Sequence, residues 1–336
     1  MEKTFRALIV TDNKEKVSVE VVDCSTDQLS EGDTLIDVYY SAVNYKDALA
    51  LQKNGGVIRH YPMIPGIDAV GIIKQTKANQ MRVGDRVVVT GRGTGVTHTG
   101  GFSEVLRVPS DWVQVLPQQI NLKKAALIGT AGITALRAIE QLELIGLGKD
   151  KKVPILVTGA SGGVGSLAIL LLNKLGFTNI TGVSRKGATD YILNLGASEV
   201  LPLSGFKEDK VKPLQSITYK YVIDTIGGSS LSSILPKIAY NGGMSLCGNA
   251  SGISFTTTVL PFILRGVSIF GIDSVQLTHQ EKYQMWSRLN DLLSDDDLEK
   301  ISGNIGKLED INQIASKLLA GEHVGRSVIE IRSPQE

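Results

Sequence analysis

The stretch VPILVTGASGGVGSLAILLL, residues 153–172, constrains the fold of this chain more than any other part of its sequence. An apolar, β-branched run ends in a glycine-rich turn, and a second long apolar run follows it. This is the pattern of a buried strand, a tight turn and a helix. Further strand-like stretches follow, most of them separated by helical ones: NITGVSR, SEVLPL, YKYVIDTIGG, MSLCGN and VSIFGID. Six strands in this alternation predict a parallel, doubly wound Rossmann sheet.

The chain before this sheet has a different texture. Short stretches such as KVSVEVVD and TLIDVYYSAV alternate apolar and polar residues or carry β-branched runs, and Gly, Pro, Asn or Asp separate them. This pattern predicts an antiparallel barrel or sandwich. After about residue 275, two amphipathic helical stretches precede a last strand, GRSVIEIR, which must pair with another sheet, such as the barrel. We therefore expect an α/β protein with domains at 1–125 and 126–272 and a return of 273–336 to the first domain.

Composition excludes several classes of function. The 336 residues suffice for about two domains, and a net charge of +1 with 5% aromatic residues argues against nucleic-acid or anionic-lipid binding. The two cysteines are too few and too far apart for a four-cysteine zinc cluster. No apolar run reaches 18 residues and no secretory signal is recognisable, so we expect a cytoplasmic protein.

The glycine-rich turn predicts a dinucleotide site. In the pattern G-x-G-x-x-G, Ala160 takes the first place, and Gly162 and Gly165 take the second and third. Gly162 allows the main chain to approach a pyrophosphate, and the helix that follows presents free N–H groups and a positive dipole end. We expect cofactor contacts at Ala160, Ser161, Gly162, Gly163 and Val164.

The end of the second Rossmann strand predicts the type of dinucleotide. An NAD site places a carboxylate there, about twenty residues after the glycines, to hold the ribose 2′-hydroxyl. Here the sequence is Ser184-Arg185-Lys186, a hydroxyl and two cations. An arginine can bind a phosphate through two parallel hydrogen bonds, so these residues favour the 2′-phosphate of NADPH.

Other strand ends supply further candidates, because open α/β sheets bind ligands beyond the carboxyl ends of their strands. Asp224 ends the fourth strand, Gly248 and Asn249 follow the fifth, and Asp273 follows the last. We expect cofactor contacts at all four positions.

Several motifs together resemble one enzyme family. NYKDALA, PGIDAVG, GGFSEVLRVPSDW, GTAGITA, TGASGGVGSLA, DTIGG, PFILRGVS and GIDSV are similar to stretches of the zinc-free, YhdH-type quinone oxidoreductases, a group of medium-chain dehydrogenases/reductases that includes acrylyl-CoA reductases. The resemblance spans nearly the whole chain. It implies a GroES-like catalytic barrel ahead of the Rossmann domain.

The same resemblance implies chemistry without zinc. Zinc-dependent relatives carry a cysteine ligand where this chain has Asn44, and a Gly-His-Glu stretch where it has Gly66-Ile67-Asp68. An isoleucine cannot bind a metal, and a catalytic zinc needs about three protein ligands. We therefore expect no metal.

The resemblance also gives site residues. It implies that Asn44, Tyr45 and Asp47, in VNYKD, lie beside the nicotinamide as catalytic residues. Asn44 would orient the nicotinamide or its ribose, Tyr45 would line the acceptor site and donate a hydrogen bond or proton, and Asp47 would position its neighbours. Water remains an alternative proton donor, and VNYKD can instead be the polar cap of a helix. Relatives also imply cofactor contacts at Thr130, Thr134 and Arg326, for which a capped helix and a surface arginine are the alternatives.

The function expected from these features is NADPH-dependent reduction of an activated C=C bond, in acrylyl-CoA or a similar short 2-enoyl-CoA. An NADPH:quinone oxidoreductase is the alternative enzyme, and a non-enzymatic NADPH-binding protein is the alternative from another class. The glycine-rich loop 91–101 flanks the expected cleft, where Arg92 can meet a phosphate of coenzyme A and His98 is a candidate proton donor. The apolar sixth strand VSIFGID predicts an edge that pairs across a two-fold axis, hence a homodimer.

Overall fold

The computed structural model describes residues 4–13, 16–185, 187–206 and 211–333. Within these ranges the strands are β1 (Phe5–Asp12), β2 (Val17–Cys24), β3 (Thr34–Val43), β4 (Asp68–Thr76), β5 (Arg86–Thr90), β6 (Val105–Val108), β7 (Val113–Val115), β8 (Ile155–Thr158), β9 (Ile180–Ser184), β10 (Glu199–Pro202), β11 (Tyr219–Asp224), β12 (Ile238–Leu246), β13 (Ser268–Gly271), β14 (Ser302–Gly306) and β15 (Arg326–Glu330).

The helices in the same ranges are α1 (Tyr45–Ala50), α2 (Leu122–Glu143), α3 (Gly163–Lys174), α4 (Thr189–Asn194), α5 (Ser230–Ile234), α6 (Leu260–Arg265), α7 (His279–Leu292), α8 (Asp295–Ile301) and α9 (Ile311–Ala320). None of these helices combines the length and the apolar character that crossing a bilayer requires.

The chain packs into two compact units. The first unit comprises Met1–Thr130, Val275–Asp291 and Ser302–Glu336, and the second comprises Ala131–Ser274 and Leu292–Ile301. The domain boundaries expected from the sequence, after residues 125 and 272, stay a prediction.

The first unit is built on a sheet whose pairs are antiparallel except for the parallel edge pair β14–β15. Among the described residues its strands run in the order β14-β15-β3-β4-β5-β7. β6 pairs with the first half of β3, on the same edge as β15 and opposite β4. β1 and β2 form a separate antiparallel pair. The last strand of the chain, β15, pairs with β3, which confirms the predicted pairing of the terminal strand with the barrel. An apolar core that includes Phe102, Leu51 and Ile311 fills the space beneath the sheet and helices α1 and α9.

The register of this sheet brings three chain segments to one end. β3 runs antiparallel to both β4 and β15, so the end of β3 meets the starts of the other two strands. Val43 pairs with Ser327, and Tyr40 pairs with Val70. Residues that follow β3 therefore lie close to Asp68 and to Arg326. This convergence positions the candidate site.

The second unit contains the predicted Rossmann sheet. Its described strands lie in the order β10-β9-β8-β11-β12-β13, and every neighbouring pair is parallel. The order places the third strand of the unit first, then the second, first, fourth, fifth and sixth, which is the doubly wound arrangement. The glycine turn joins β8 to α3 at the centre of the sheet, and β13 lies at one edge.

Two local features concern where elements begin. Helix α2 consists of two helical segments that meet at Gly129, whose φ and ψ are 46° and −155°. Thr130 begins the second segment, so a helical segment does start in GTAGITA. The strand β14 was not predicted, since SGNIG contains a single large apolar residue; it forms because β15 offers a parallel neighbour.

Candidate active site

The VNYKD stretch begins helix α1. Asn44 has extended backbone angles and is the residue before the first helical turn, and its main-chain N–H donates to Oδ2 of Asp47 at 2.8 Å. Ala48 N–H donates to the Asn44 carbonyl at 3.1 Å, which opens the helix. Asp47 at the third helical position therefore caps the helix start reciprocally with Asn44. The helix-cap interpretation is confirmed, but Asn44 and Asp47 also belong to a larger group.

Five polar residues of the first unit meet in what we call the buried polar cluster: Asn44, Asp47, Asp68, Thr130 and Arg326. Asp68 at the start of β4 is its centre and is fully buried. Its carboxylate accepts hydrogen bonds from Asn44 Nδ2 at 2.9 Å, from Thr130 N at 3.1 and 3.2 Å and from the Thr130 hydroxyl. Because Thr130 begins the second segment of α2, Asp68 also lies at a helix N-terminus, where a negative charge is favourable.

Arg326 supplies the positive charge of the buried polar cluster. Its side chain is 2% exposed, and Nη2 lies 3.6 Å from Asp68 Oδ2. Nη1 donates to Asn44 Oδ1 at 2.8 Å, while Nε and Nη2 donate to the carbonyls of Leu127 and Ala126 at 3.1 and 3.4 Å. Burial lowers the pKa of Arg326, and Asp68 and Asp47 oppose that change. The interpretation of Arg326 as a surface arginine is therefore wrong.

Asp47 is the second buried carboxylate of the cluster. Oδ1 accepts from Ile67 N–H at 2.9 Å, and Oδ2 accepts from the main chain and side chain of Asn44. Burial raises the pKa of Asp47 to about 7, and the nearby charge of Asp68 adds to the rise, while the N–H donors oppose it. Asp47 thus titrates in the neutral range and holds the Ile67 main chain to the start of α1.

The remaining residues of VNYKD are not part of the cluster. Tyr45 is half-buried, and its hydroxyl has no hydrogen-bond partner among the described residues. Lys46 is exposed. The side-chain nitrogen and oxygen of Asn44 both have protein partners, Asp68 and Arg326. Tyr45 therefore carries the hydroxyl group of this stretch that is available to a ligand. The predicted catalytic roles of Asn44, Tyr45 and Asp47 stay a prediction.

The glycine turn of the second unit has the geometry that a dinucleotide needs. Gly162 precedes α3 with extended backbone angles, and its carbonyl accepts the first intrahelical bond, from Ser166 N–H at 2.9 Å. The N–H groups that precede Ser166 in α3 therefore have no intrahelical acceptor. A Cβ on Gly165 would lie 2.2 Å from the Gly159 carbonyl oxygen, so only glycine allows this close packing. Ala160 is fully buried and pairs with Val183. The turn, including Ser161, Gly163 and Val164, fits a pyrophosphate at the helix N-terminus.

The end of β9 fits the phosphate end of the cofactor. The hydroxyls of Ser161 and Ser184 lie 3.0 Å apart, which links the glycine turn to this strand end. Arg185 is exposed, and Lys186 lies outside the described residues. A cleft of about 270 Å³ is lined by Arg185, Leu203, Ser229, Ser230 and Ser251. A guanidinium beside three hydroxyls is a donor set that suits a phosphate.

At the ends of β11 and β12, the candidate residues differ in how they are held. Asp224 is buried, and its two oxygens accept from the Thr158 hydroxyl at 2.6 Å and from Gly227 N–H at 2.8 Å, so it fixes the neighbouring turns. Burial raises its pKa. A Cβ on Gly248 would lie 1.8 Å from the Thr225 carbonyl oxygen, whereas Asn249 is exposed.

The remaining cofactor candidates of the second unit lie on α2 and after β13. Thr134 and Ser274 share a hydrogen bond of 2.8 Å between their hydroxyls, which joins α2 to the segment after β13. Asp273 next to Ser274 is exposed. Cofactor contacts at these positions stay a prediction.

The side chains of His98 and Arg265 both bond to main-chain carbonyls of the protein. Both ring nitrogens of His98 face main-chain carbonyls, those of Glu31 and Thr99, at 2.9 and 3.0 Å, and the ring is buried against Trp112. This leaves His98 no nitrogen for a substrate. The Arg265 guanidinium donates to the carbonyls of Pro236, Ile238 and Gln215, so it ties together the main chain around β12.

Sequence reasoning missed the centre of the cluster. Asp68 was named above only in place of a zinc-site glutamate, and Lys282, which is 3% exposed on α7, was not named. Asp68 could have been noticed as a carboxylate that opens an otherwise apolar strand, DAVGII. Lys282 lies on an amphipathic helix whose sequence does not reveal that this lysine faces inward.

Comparisons with known proteins cover nearly the whole chain. Residues 30–118 match the alcohol dehydrogenase GroES-like domain, and residues 163–292 match the family described as zinc-binding dehydrogenase. Acrylyl-CoA reductase AcuI of Ruegeria pomeroyi is 35% identical over 98% of this chain and 100% of its own length. YhfP of Bacillus subtilis, provisionally named a quinone oxidoreductase, is 38% identical over the same shares.

Two solved structures have nearly the same fold. Escherichia coli K-12 YhdH with bound NADPH superposes with a TM-score of 0.93 at 38% identity, covering 97% of this chain and all of that one. Bacillus subtilis YhfP with bound NAD gives the same TM-score and identity, covering 98% of this chain and all of its own.

The residues of this chain do not fit a catalytic zinc, in spite of the name of the second matched family. Within the described ranges, no group of three or more His, Cys, Asp or Glu side chains could hold a metal ion. Asn44 and Asp68 bond to each other, and Ile67 has no donor side chain. The predicted family and fold are confirmed: the chain is an oxidoreductase that belongs to the zinc-free, YhdH-type medium-chain dehydrogenases/reductases.

Proposed function

We propose that this protein is an NADPH-dependent reductase of an activated C=C bond, with acrylyl-CoA or a similar short 2-enoyl-CoA as substrate. The observation that carries this proposal is the full-length similarity to a protein named acrylyl-CoA reductase. A conjugated carbonyl lets the C=C bond accept a hydride without a metal, because the charge passes to the carbonyl oxygen, where hydrogen-bond donors can stabilise it.

The cofactor is NADPH. Arg185 and the hydroxyls of Ser229, Ser230 and Ser251 provide a cationic, donor-rich cleft for its 2′-phosphate, and the strand end carries no carboxylate that would repel it. YhdH was solved with NADPH and YhfP with NAD, so NADH is the cofactor against which this assignment is tested.

NADPH supplies a hydride when it is bound, and the protein positions the acceptor. The Tyr45 hydroxyl lines the acceptor site and donates a hydrogen bond to the substrate carbonyl; its lack of a partner among the described residues supports this role. Asn44, Asp47 and Arg326 hold the main chain around Tyr45 through the buried polar cluster. The proton that completes the reaction comes from Tyr45 or from water.

A quinone is the second candidate substrate. The provisional name of YhfP favours it, and a quinone also carries a C=C bond conjugated to a carbonyl. The two candidates share cofactor and fold, so the choice depends on kinetics.

The deciding experiment follows NADPH oxidation at 340 nm with acrylyl-CoA and with a small quinone, each repeated with NADH. A specificity constant for acrylyl-CoA at least tenfold above that for the quinone is expected. Turnover of the quinone alone would refute the enoyl-CoA assignment, and binding of NADPH without turnover of either would favour a non-enzymatic role.

The protein acts as a homodimer located in the cytoplasm. Support for the dimer comes from β13, an edge strand among the described residues, and from exposed apolar side chains at Val259, Ile263 and Leu264 close by in sequence. An unpaired edge beside apolar surface invites pairing with a second copy.

A further inference from the structure

Lys282 on α7 is a buried cation that has no anionic partner in the described part of the chain. Its side chain is 3% exposed, and Nζ donates to the Thr90 carbonyl at 3.2 Å. Among the described residues no carboxylate lies within 4 Å of this nitrogen, and the Thr90 carbonyl is its one hydrogen-bond partner. An ammonium group has three donors, and burying it without a paired charge is costly. Lys282 therefore has two N–H groups for which no described residue supplies an acceptor.

Arg92 adds a second cation at the same place. Nη1 and Nη2 donate to Gln276 and to the Leu277 carbonyl at 3.0 and 2.9 Å, so Arg92 is held against the segment that leads into α7. Its Nε is buried and has no partner among the described residues. The backbone of Arg92 has a φ of 56°, a conformation that costs energy for a residue with a side chain and that recurs at functional sites.

The two cations repel each other. Burial first, and then the charge of Arg92, lower the pKa of Lys282 to about 8, while Asp68 acts in the opposite direction. If Lys282 served only to tie α7 to β5, a neutral donor would suffice, because its partner is the neutral carbonyl of Thr90. The repulsion would be relieved by an anion that accepts hydrogen bonds from both side chains.

The position of these cations connects them to the buried polar cluster. Thr90 ends β5 and pairs with Asp68 in the sheet, and Gly91 N–H donates to the Ile67 carbonyl at 3.0 Å. The hydroxyl of Thr94, in the same loop, is buried and also has no partner in the described part of the chain. Unfilled donors thus collect at the sheet end where the VNYKD stretch and Asp68 lie.

We infer that Lys282 and Arg92 form a subsite for one anionic oxygen of the substrate, the carbonyl oxygen on which charge collects during reduction. This inference rests on the proposed function. When hydride adds to the β-carbon, the C=C electron pair moves to join the α-carbon to the carbonyl carbon, and the C=O pair moves to oxygen. The subsite holds that oxygen, and a proton from Tyr45 or water then adds to the α-carbon, which returns the electron pair to C=O. Enoyl thioesters and quinones both present such an oxygen.

Acrylate is a suitable probe, because it carries an anionic oxygen next to a C=C bond. Calorimetric titration of the full-length protein with acrylate, with and without NADP⁺, at pH 8.5 and in two buffers of different ionisation enthalpy, reports both affinity and proton uptake. Wild-type protein should take up a fraction of a proton, because a bound anion favours the charged form of Lys282.

Variants separate the subsite from a tether. Lys282→Met should weaken acrylate binding at least tenfold and abolish proton uptake, whereas Lys282→Arg should keep the binding and lose the uptake. Arg92→Asn, which tolerates a positive φ, should weaken binding and reduce uptake. Lys77→Met is the control, since Lys77 is exposed and follows the opposite end of β4.

Unchanged binding and uptake in Lys282→Met, or absence of acrylate binding to the wild-type protein, would overturn the subsite. Turnover of acrylyl-CoA, measured with the same protein, separates failure of the subsite from failure of the proposed function. Turnover combined with Lys282-independent binding would refute the subsite and leave the proposed function; Lys282-dependent binding without turnover would support the subsite and refute the function.

Discussion

Asp68 is the residue on which the buried polar cluster depends. A buried carboxylate is stable only when donors and an opposite charge surround it, and Asp68 obtains these from Asn44, Thr130 and Arg326. The three partners come from parts of the chain that are far apart in sequence. Each of them therefore contributes to stability through Asp68 as well as through its own contacts.

Removal of the Arg326 charge tests this dependence. Arg326→Met leaves Asp68 buried without a cation, and we expect a loss of about 3–5 kcal/mol in the free energy of unfolding. Arg326→Lys should lose less, but its single nitrogen cannot reproduce the planar fork of three nitrogens that reaches Asn44 and the two carbonyls. Urea denaturation measures both. In the double variant with Asp68→Asn, part of the loss should be recovered; strict additivity of the two losses would contradict the pairing.

Asp47 predicts a pH dependence of stability. Its pKa rises from 3.8 to about 7 on folding, so between these values the folded protein holds a proton that the unfolded chain releases. The stabilisation from this group is complete below about pH 4 and is lost as pH rises towards 7. The stability difference between wild type and Asp47→Asn should therefore shrink by about 2 kcal/mol from pH 5 to pH 7.

Urea denaturation at a series of pH values measures this difference. Lys46→Met, a change of an exposed side chain in the same helix, should show the pH dependence of the wild type. A difference between wild type and Asp47→Asn that stays constant across this range would mean that Asp47 remains ionised.

Arg185 predicts cofactor preference. Arg185→Ala should weaken NADPH binding at least tenfold and change NADH binding little, because only NADPH carries the 2′-phosphate that the guanidinium can hold. Arg185→Lys keeps the charge without the bidentate geometry and should give an intermediate value. Fluorescence titration with each cofactor measures the dissociation constants. Equal weakening of both cofactors would remove Arg185 from phosphate recognition.

At the scale of elements, α2 depends on one glycine. Gly129 interrupts the helix with a φ of 46°, which lets Thr130 N–H turn towards Asp68. A Cβ at this position would lie 2.6 Å from Asp68 Oδ2 and 2.9 Å from Arg326 Nη2. The kink is therefore required by the backbone conformation and by the closeness of the buried polar cluster.

Gly129→Ala should destabilise the protein by more than the ~1–3 kcal/mol that a strained backbone costs alone, because the new methyl group also displaces the ion pair. Gly84→Ala is the matched control, since Gly84 has a φ of 93° and open space around its Cβ position. Thermal and urea denaturation of both variants give the comparison. Equal losses would show that the contacts of Gly129 add nothing to the backbone cost.

At the scale of the whole molecule, the edge strand β13 predicts self-association. Sedimentation equilibrium at micromolar concentration should give twice the chain mass of 36.0 kDa. Gly271→Pro, at an exposed position whose main-chain N–H faces away from β12, removes a donor from the open edge and should shift the mass towards that of one chain. A monomer mass for the wild-type protein would refute the dimer.

The sequence by itself determined the two fold types and the dinucleotide turn. Both depend on local patterns: the period of apolar residues, the glycines between β8 and α3, and the chemistry of residues 184–186 at the end of β9. These features act over a few residues, so the printed order of amino acids is enough to recognise them. The helix-cap interpretation of VNYKD was readable for the same reason.

Only the tertiary structure decided which polar residues are buried together. Asn44, Asp68 and Arg326 meet because β3 runs antiparallel to both β4 and β15, and this register is set by sheet pairing across 282 positions of sequence. The inward orientation of Lys282 likewise depends on what α7 packs against. Burial and charge pairing are properties of the folded chain, since the same side chains in an isolated segment would be hydrated and independent.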